Sequence, residues 1–335
     1  MSLRRETAAQ GSGPRVVALG GGHGLAATLR ALRRVTDRLT AVVGVADDGG
    51  SSGRLRRELG VLPPGDLRMA LAALCGDDAW GRTWSQVVQH RFTGDGELHG
   101  HALGNLLIAA LWQETGDEVK GLDWVAALLG AHGRVLPLSR VPLEIVADVL
   151  GHDQARPTEV TEVRGQVEVA TTPGDVLALR IEPAAPPGCE EAVAAVREAD
   201  AVVLGPGSWF TSVLPHLLVP DVAEAIRATG GRRVLVLNLG AQPGETDGYE
   251  PETHLEVWQE HFGDIPLDLV LADERHVADP AGLEAACAPL GASLVLDRVA
   301  AMPEPGEVVT TRHDPDLLAA AFGALLGRGR IAPWR

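Results

Sequence analysis

The residues of this chain best suited to chemistry lie between Ala46 and Arg54, Ala-Asp-Asp-Gly-Gly-Ser-Ser-Gly-Arg, directly after the apolar run Leu39 to Val45. Asp47 and Asp48 stand where a parallel strand would end, and open α/β sheets bind ligands outside those ends. Gly49, Gly50, Ser51, Ser52 and Gly53 let a ligand approach the backbone and expose N–H groups to anionic oxygens. Arg54 can add a bidentate contact to a phosphate. Either acid could hold a ribose hydroxyl or a cation. Adjacent on an extended chain, the two point in different directions and are no ready acid–base pair. A plain polar turn would share this composition.

Three more loops have the same character. Gly20-Gly21-Gly22-His23-Gly24 follows the apolar run Arg15 to Leu19 and reads as a tight loop. Gly22-His23-Gly24-Leu25-Ala26-Ala27 satisfies G-x-G-x-x-A, with Asp47 near the offset of a ribose-binding acid, so a nicotinamide dinucleotide competes with other nucleotides. Gly205-Pro206-Gly207-Ser208 follows the apolar run Ala201 to Leu204 and reads as a phosphate cradle or a rigid turn. Gln242 to Gly248 follows the run Arg233 to Leu239; its Glu245 and Asp247 could face a cation or a sugar hydroxyl, or be solvated. Asn105 opens a helix after His99-Gly100-His101, as a cap or as part of an anion site. His90, His99 and His101 lack metal-type spacing. No glycine loop ends in Gly-Lys-Ser or Gly-Lys-Thr, and there is no G-x-S-x-G elbow, so P-loop and serine-hydrolase chemistry lack support.

Such loops need a frame that collects them on one edge. Strand, glycine loop, a helix with Leu25, Leu29 and Leu32, and a second strand make a βαβ start, which predicts a parallel sheet. Asp66 is predicted to N-cap a helix carrying Leu67, Leu71 and Leu74, approached by Pro63-Pro64-Gly65. Further helices are expected around Trp84 to Phe92, Leu103 to Glu114 and Leu122 to Leu129. Between Pro142 and Glu182, β-branched runs at Glu159 to Val163 and Gln166 to Ala170 flank Arg164-Gly165 and predict a hairpin or small inserted subdomain. Leu267 to Leu271 and Ala292 to Leu296 are later strands.

The 335 residues are 45% hydrophobic, enough for a large core. The net charge of -16 disfavours nucleic acid and anionic membranes as partners, so any anionic ligand must rely on local N–H groups and a few arginines. Cys75, Cys189 and Cys287 are too far apart for a metal motif and suit the core of a reduced, cytoplasmic protein. No run has the length of a membrane span, and Met1 to Gly13 lacks the apolar segment of a signal peptide. The expected organisation is a flexible tail at 1–14, one domain at 15–327 with an insertion at about 142–182, and a C-terminal tail at 328–335. A homodimer is compatible with the apolar content.

The ordered motifs Gly20-Gly21-Gly22-His23-Gly24-Leu25, Asp47-Asp48-Gly49-Gly50-Ser51-Ser52-Gly53-Arg54, Pro63-Pro64-Gly65-Asp66-Leu67-Arg68, Gly100-His101-Ala102-Leu103-Gly104-Asn105-Leu106, Gly205-Pro206-Gly207-Ser208 and Gln242 to Gly248 closely resemble the gluconeogenesis factor (YvcK-like) family. That family is related to the phospholactate transferase of deazaflavin coenzyme synthesis. The resemblance runs from about Arg15 to Asp314. It implies a Rossmann-like three-layer α/β/α domain with a mainly parallel sheet and an inserted small β/α element. It also implies a bacterial protein binding a nucleotide or a UDP-sugar such as UDP-N-acetylglucosamine, linked to carbon metabolism, cell shape and envelope synthesis. The nucleotide-binding positions carried over are Gly21, Gly22, His23, Gly24, Asp47 to Arg54, Asn105, Gly205, Pro206, Gly207, Ser208, Asn238 and Gln242, with Mg²⁺ the one cofactor the acids could take. His23 stands where the family often has Thr, and Leu239-Gly240-Ala241 replaces a more usual Met-Thr pairing. Gly205-Pro206-Gly207-Ser208-Trp209 departs from the Gly-Pro-Ser-Asn-Pro of the transferase branch. A phospholactate-type transfer is the alternative activity; it would need an aromatic platform for its acceptor, with Trp112, Trp209 and Phe210 as candidates. An NAD-dependent reaction is the third reading.

Overall fold

Short apolar runs buried on both faces build the centre of the molecule, as parallel strands covered by helices require. The structure, a computed structural model, describes residues 13–303 and 310–327. The expected tails at 1–14 and 328–335 lie outside the described residues, apart from Gly13 and Pro14. The strands are β1 Val16–Gly20, β2 Leu39–Val43, β3 Arg134–Pro137, β4 Glu144–Leu150, β5 Val160–Arg164, β6 Asp175–Glu182, β7 Ala201–Leu204, β8 Arg232–Val236, β9 Leu269–Asp273 and β10 Ser293–Asp297. Seven of them form one sheet in the order β10-β9-β8-β7-β1-β2-β3, every neighbouring pair parallel. The fold is α/β, as the sequence predicts.

The helices are α1 Gly22–Leu32, α2 Gly50–Leu59, α3 Gly65–Ala73, α4 Ala79–Gln89, α5 Leu103–Thr115, α6 Glu118–Leu129, α7 Gln166–Ala170, α8 Glu190–Glu198, α9 Pro220–Ala228, α10 Pro251–Phe262, α11 Pro280–Cys287 and α12 Pro315–Leu326. They pack in groups: α1 with α3 and α12, α5 with α6, α8 with α9, α10 with α11. The three cysteines are buried and unbridged. No helix among the described residues is long and apolar enough to cross a membrane.

Three local expectations are corrected. The glycine loop after β1 ends at Gly21, because α1 starts at Gly22. Asp66 is not a cap: α3 starts at Gly65 after Pro64, so Asp66 lies in its first turn. In the insertion, β4 is flanked antiparallel by β5 and β6, but Gln166–Ala170 is the helix α7 rather than a strand. Five residues reading Gln-Val-Glu-Val-Ala are too few to separate the two periods.

Strand order reverses at β1. From there the chain runs one way through β2 and β3 and the other way through β7 to β10. The turns after β1 and β7 therefore meet at the crevice where such sheets bind ligands. The contact is close: a Cβ on Gly24 would overlap the Pro206 carbonyl oxygen and stand 3.0 Å from Gly207 Cα. Gly22, at φ +59°, has open space around its Cβ position. Gly24→Ala is therefore expected to cost about 2–3 kcal/mol through backbone overlap, and Gly22→Ala about 1 kcal/mol through its left-handed φ alone. Denaturant midpoints of the two variants check this order; an equal or reversed ranking would show that the β7 turn yields easily.

Candidate functional site

The sheet edge gathers the predicted residues into two neighbouring groups. One lines a cavity of about 560 Å³ at the switch point. His23 and Gly24 of α1, Pro206, Gly207 and Ser208 after β7, and Asn238 and Gln242 after β8 all face it. Asn238 ties two of these loops together. Its Oδ1 accepts the Gly207 N–H at 2.9 Å, and its Nδ2 donates to Gly207 O at 2.8 Å and to Gln242 Oε1 at 3.2 Å. Gly205 lies beneath as the left-handed turn residue, with φ +69°.

Glu245, which the sequence leaves open to a cation, a sugar or solvent, is buried at the cavity wall rather than solvated. It accepts from Ser208 Oγ and, at 2.9 Å, from the Phe210 N–H, and burial raises its pKa. It fixes the mouth of the Gly205–Ser208 turn. Asp247 caps its own turn, accepting from Gly244 N at 2.9 Å. His313 was missed by sequence reading, since nothing near it marks a site. It borders the cavity, and burial holds its imidazole neutral, with its pKa pushed down to about 4.

The second group surrounds the first turns of α2, α3 and α5. Gly49 precedes α2, while Gly50, Ser51, Ser52, Gly53 and Arg54 are its first residues, with both serines buried. Asp47 and Asp48 do diverge. Asp47 Oδ1 accepts from Gly49 N at 3.0 Å, and Asp48 Oδ1 accepts from Val167 N of α7 at 3.2 Å, which fastens the insertion to the site. Arg54 donates to the carbonyls of His99 at 2.7 Å and Glu97 at 3.3 Å, so it braces the strap before α5. Ser51 Oγ joins His101 Nδ1 and Asn105 Nδ2, each at 3.0 Å.

Asp66 and Arg68 are the other residues that sequence reading missed, although both stand in a quoted motif. Neither lines the cavity. The Gly22 N–H bonds to the Asp66 carboxylate, and a Cβ on Gly21 would come within 2.5 Å of Asp66 Oδ2. Burial, then the neighbouring Asp47 charge, pushes Asp66 up to about 7. Arg68 is buried, and its Nε has no partner among the described residues.

Other assignments do not come together. Trp112, Trp209 and Phe210 are buried in the core and offer no platform for a flat acceptor. Among the described residues no three His, Cys, Asp or Glu side chains form a metal cluster. Neither Asp47 nor Asp48 lines the cavity, so the ribose acid of the dinucleotide reading is absent from it.

A family model described as 2-phospho-L-lactate transferase CofD matches residues 16–290. A Mycobacterium tuberculosis protein named "Putative gluconeogenesis factor" is 51% identical over 315 residues, 93% of this chain and 90% of the relative. A Halalkalibacterium halodurans protein named "Gluconeogenesis factor" is 39% identical over 264 residues, 79% of each chain. The crystal structure of a Bacillus halodurans protein superposes with a TM-score of 0.79 at 34% identity, covering 92% of this chain and 99% of that one.

The Asp66 carboxyl gives a pH test. Its ordinary value is 3.8 and its folded value about 7. Between these the unfolded chain releases the proton and the folded chain retains it, so stability falls as pH rises through this window and stays lowered above it. Asp66→Asn keeps an acceptor for Gly22 and removes the ionisation. The variant should be about 2–4 kcal/mol more stable than wild type near pH 8, with the difference vanishing below the ordinary carboxylate range. Paired denaturation curves across pH measure it; a constant difference at all pH would mean that Asp66 does not titrate late.

Proposed function

Starting from the chain's membership of the CofD family, among relatives that bear the gluconeogenesis factor name, we propose that it binds a nucleoside diphosphate ligand of the UDP-sugar class and acts as a regulator of carbon metabolism and envelope synthesis in the cytoplasm. The observation that carries this reading is the pair of glycine turns, after β1 and β7, packed against each other at the switch point of the sheet. Backbone N–H groups at such a crevice suit a diphosphate. The N-terminus of α1, which has no side-chain cap, is placed to supply them without calling on a surface of net negative charge, while in the β7 turn the Gly207 N–H is already taken by Asn238.

Phospholactate-type group transfer is the second reading, and Asp66 favours it. A buried carboxyl held near neutrality beside a second carboxylate is a feature that catalysis uses and plain binding does not need. Asp47 Oδ2 and Ser52 Oγ crowd the space above Gly65 next to Asp66, an oxygen set of the kind that holds Mg²⁺ together with substrate phosphates. When bound there, the ion would neutralise charge on the phosphates. Asp47 would hold it, and Asp66 would retain or release a proton beside it.

Thermal shift distinguishes the ligands. UDP-N-acetylglucosamine should stabilise the protein more than NAD or GDP at equal concentration, by about 2.7 kcal/mol at 100 times its dissociation constant. Asn238→Ala unties the two loops and should weaken that binding about tenfold, roughly 1.4 kcal/mol. A shift with NAD and none with any UDP-sugar would reject the proposal. Turnover of a phospholactate–nucleotide donor with a deazaflavin acceptor would install the second reading in its place.

A further inference from the structure

One arginine at the switch-point cavity is left over from the pairing of its neighbours. Arg30 stands in the last turn of α1 and borders two hollows. One is the cavity of about 560 Å³; the other is a groove of about 340 Å³ lined also by residues of α3, α4 and α12. The other three arginines of that groove are engaged. Arg33 pairs with Asp77 at 2.5 Å, Arg34 pairs with Asp316, and Arg82 donates to the Asp77 carbonyl. Arg30 is exposed and makes no hydrogen bond or ion pair among the described residues. Its place near a helix C-terminus suits the helix dipole but uses none of its donors.

The acids close by are spent elsewhere. Among the described residues Glu245 is the one carboxylate on the cavity wall; it is 6% exposed and holds Ser208 Oγ and the Phe210 N–H. Asp314 Oδ1 caps α12, accepting from the N–H groups of Asp316 at 2.7 Å and Leu317 at 3.1 Å. Acids outnumber bases 45 to 29 in this chain, so a guanidinium left unmatched on a ligand cavity marks a place for a negative charge that the ligand brings. Its position says which part of the ligand. His23, Ala27 and Arg30 stand at i, i+4 and i+7 on one face of α1, and all three line the cavity. Seven residues of helix put the Arg30 Cα about 10 Å beyond that of His23. Ala27 between them adds only a methyl group, which leaves room along this face.

We propose that Arg30 makes this cavity selective for nucleoside diphosphate sugars whose sugar carries a carboxylate. The inference rests on the UDP-sugar reading and narrows it. With the diphosphate at the N-terminus of α1, the sugar lies along Ala27 and its acidic substituent meets Arg30. The planar guanidinium matches a carboxylate with two parallel charge-assisted hydrogen bonds. A neutral hydroxymethyl group at the same place offers neither the charge nor the second acceptor. Ser208, Asn238 and Gln242 are neutral, and the hydroxyls they would meet are common to acidic and neutral sugars, so they add nothing to this choice.

Calorimetric titration of the full chain with UDP-glucuronate and UDP-glucose tests this, since the two differ only in a carboxylate against a hydroxymethyl group on the sugar. Wild type should bind UDP-glucuronate about fivefold or more the tighter. Arg30→Gln keeps most of the side chain and removes the charge. Arg30 is exposed and unpaired, so this variant should keep the wild-type melting temperature. It should bring the two ligands to parity by losing UDP-glucuronate affinity, with UDP-glucose affinity changed less than about twofold. Equal affinities in wild type, or a preference that persists in Arg30→Gln, would overturn the inference. An equal loss of both ligands in the variant would make Arg30 a contact to the shared diphosphate and would also overturn it. In each of these cases the UDP-sugar reading stands. Binding of neither ligand, nor of UDP-N-acetylglucosamine, would reject that reading and this inference with it.

Discussion

The approach of Gly24 to the Pro206 carbonyl is the contact on which the rest of the site depends. It joins the first βα turn to the turn after β7, two segments separated by most of the chain and brought together only where the strand order reverses. No side chain fits between them. The N-terminus of α1 therefore rests directly on backbone of the opposite half of the sheet. His23, Gly207 and Ser208 share one cavity for this reason, and Asn238 can reach Gly207 from β8 to lock the second turn. Interiors pack too densely for this geometry to tolerate an added methyl without moving backbone.

The same turn also divides the site. Gly22 bonds Asp66 and Gly21 lies against it, while His23 and Gly24, next along the chain, line the cavity, so one glycine segment serves both groups. The insertion is tied to each of them. α7 reaches the Asp48 carboxylate through Val167 N and borders the cavity through Ala170. Thr171, just after it, sits against Gly244 of the loop after β8. A small antiparallel unit hung between β3 and β7 thus spans the two sets of loops rather than standing apart from them.

Much of this was legible in the residues. Val16 to Leu19, Ala41 to Val43 and Ala201 to Leu204 are buried on both faces, so their unbroken apolar character marks central parallel strands. The glycine clusters that follow them mark the loops. What remained hidden depends on partners distant in sequence. Pro-Pro-Gly-Asp looks like the approach to a helix cap, and only the fold shows that Asp66 faces Gly22 and Asp47. Trp209 and Phe210 offer π-faces on paper, but α10 and its neighbours cover them. Ser51, Ser52 and Gly53 were read as open loop because a helix starting at Gly50 has no capping side chain to announce it. The absent cap is itself informative, since Ser, Thr, Asp or Asn there would have satisfied the N–H groups locally.

Charge explains how an acidic protein can offer an anion site at this edge. The net charge of -16 is spread over a solvated surface, where salt screens it within about 10 Å. The local field is set by nearer groups. Burial and then the Asp47 charge keep Asp66 protonated up to about neutrality, so below that pH it adds little negative charge near Arg68. Ionising Asp66 would add a second carboxylate to that of Asp47 beside Arg68, whose other charged neighbour is Arg91. The arginine is charged in either case, and the Asp66 proton decides whether Asp47 alone or both carboxylates offset it. By linkage, any anion bound near this edge would bind more tightly while Asp66 keeps its proton, and would raise the proton affinity of Asp66 in return.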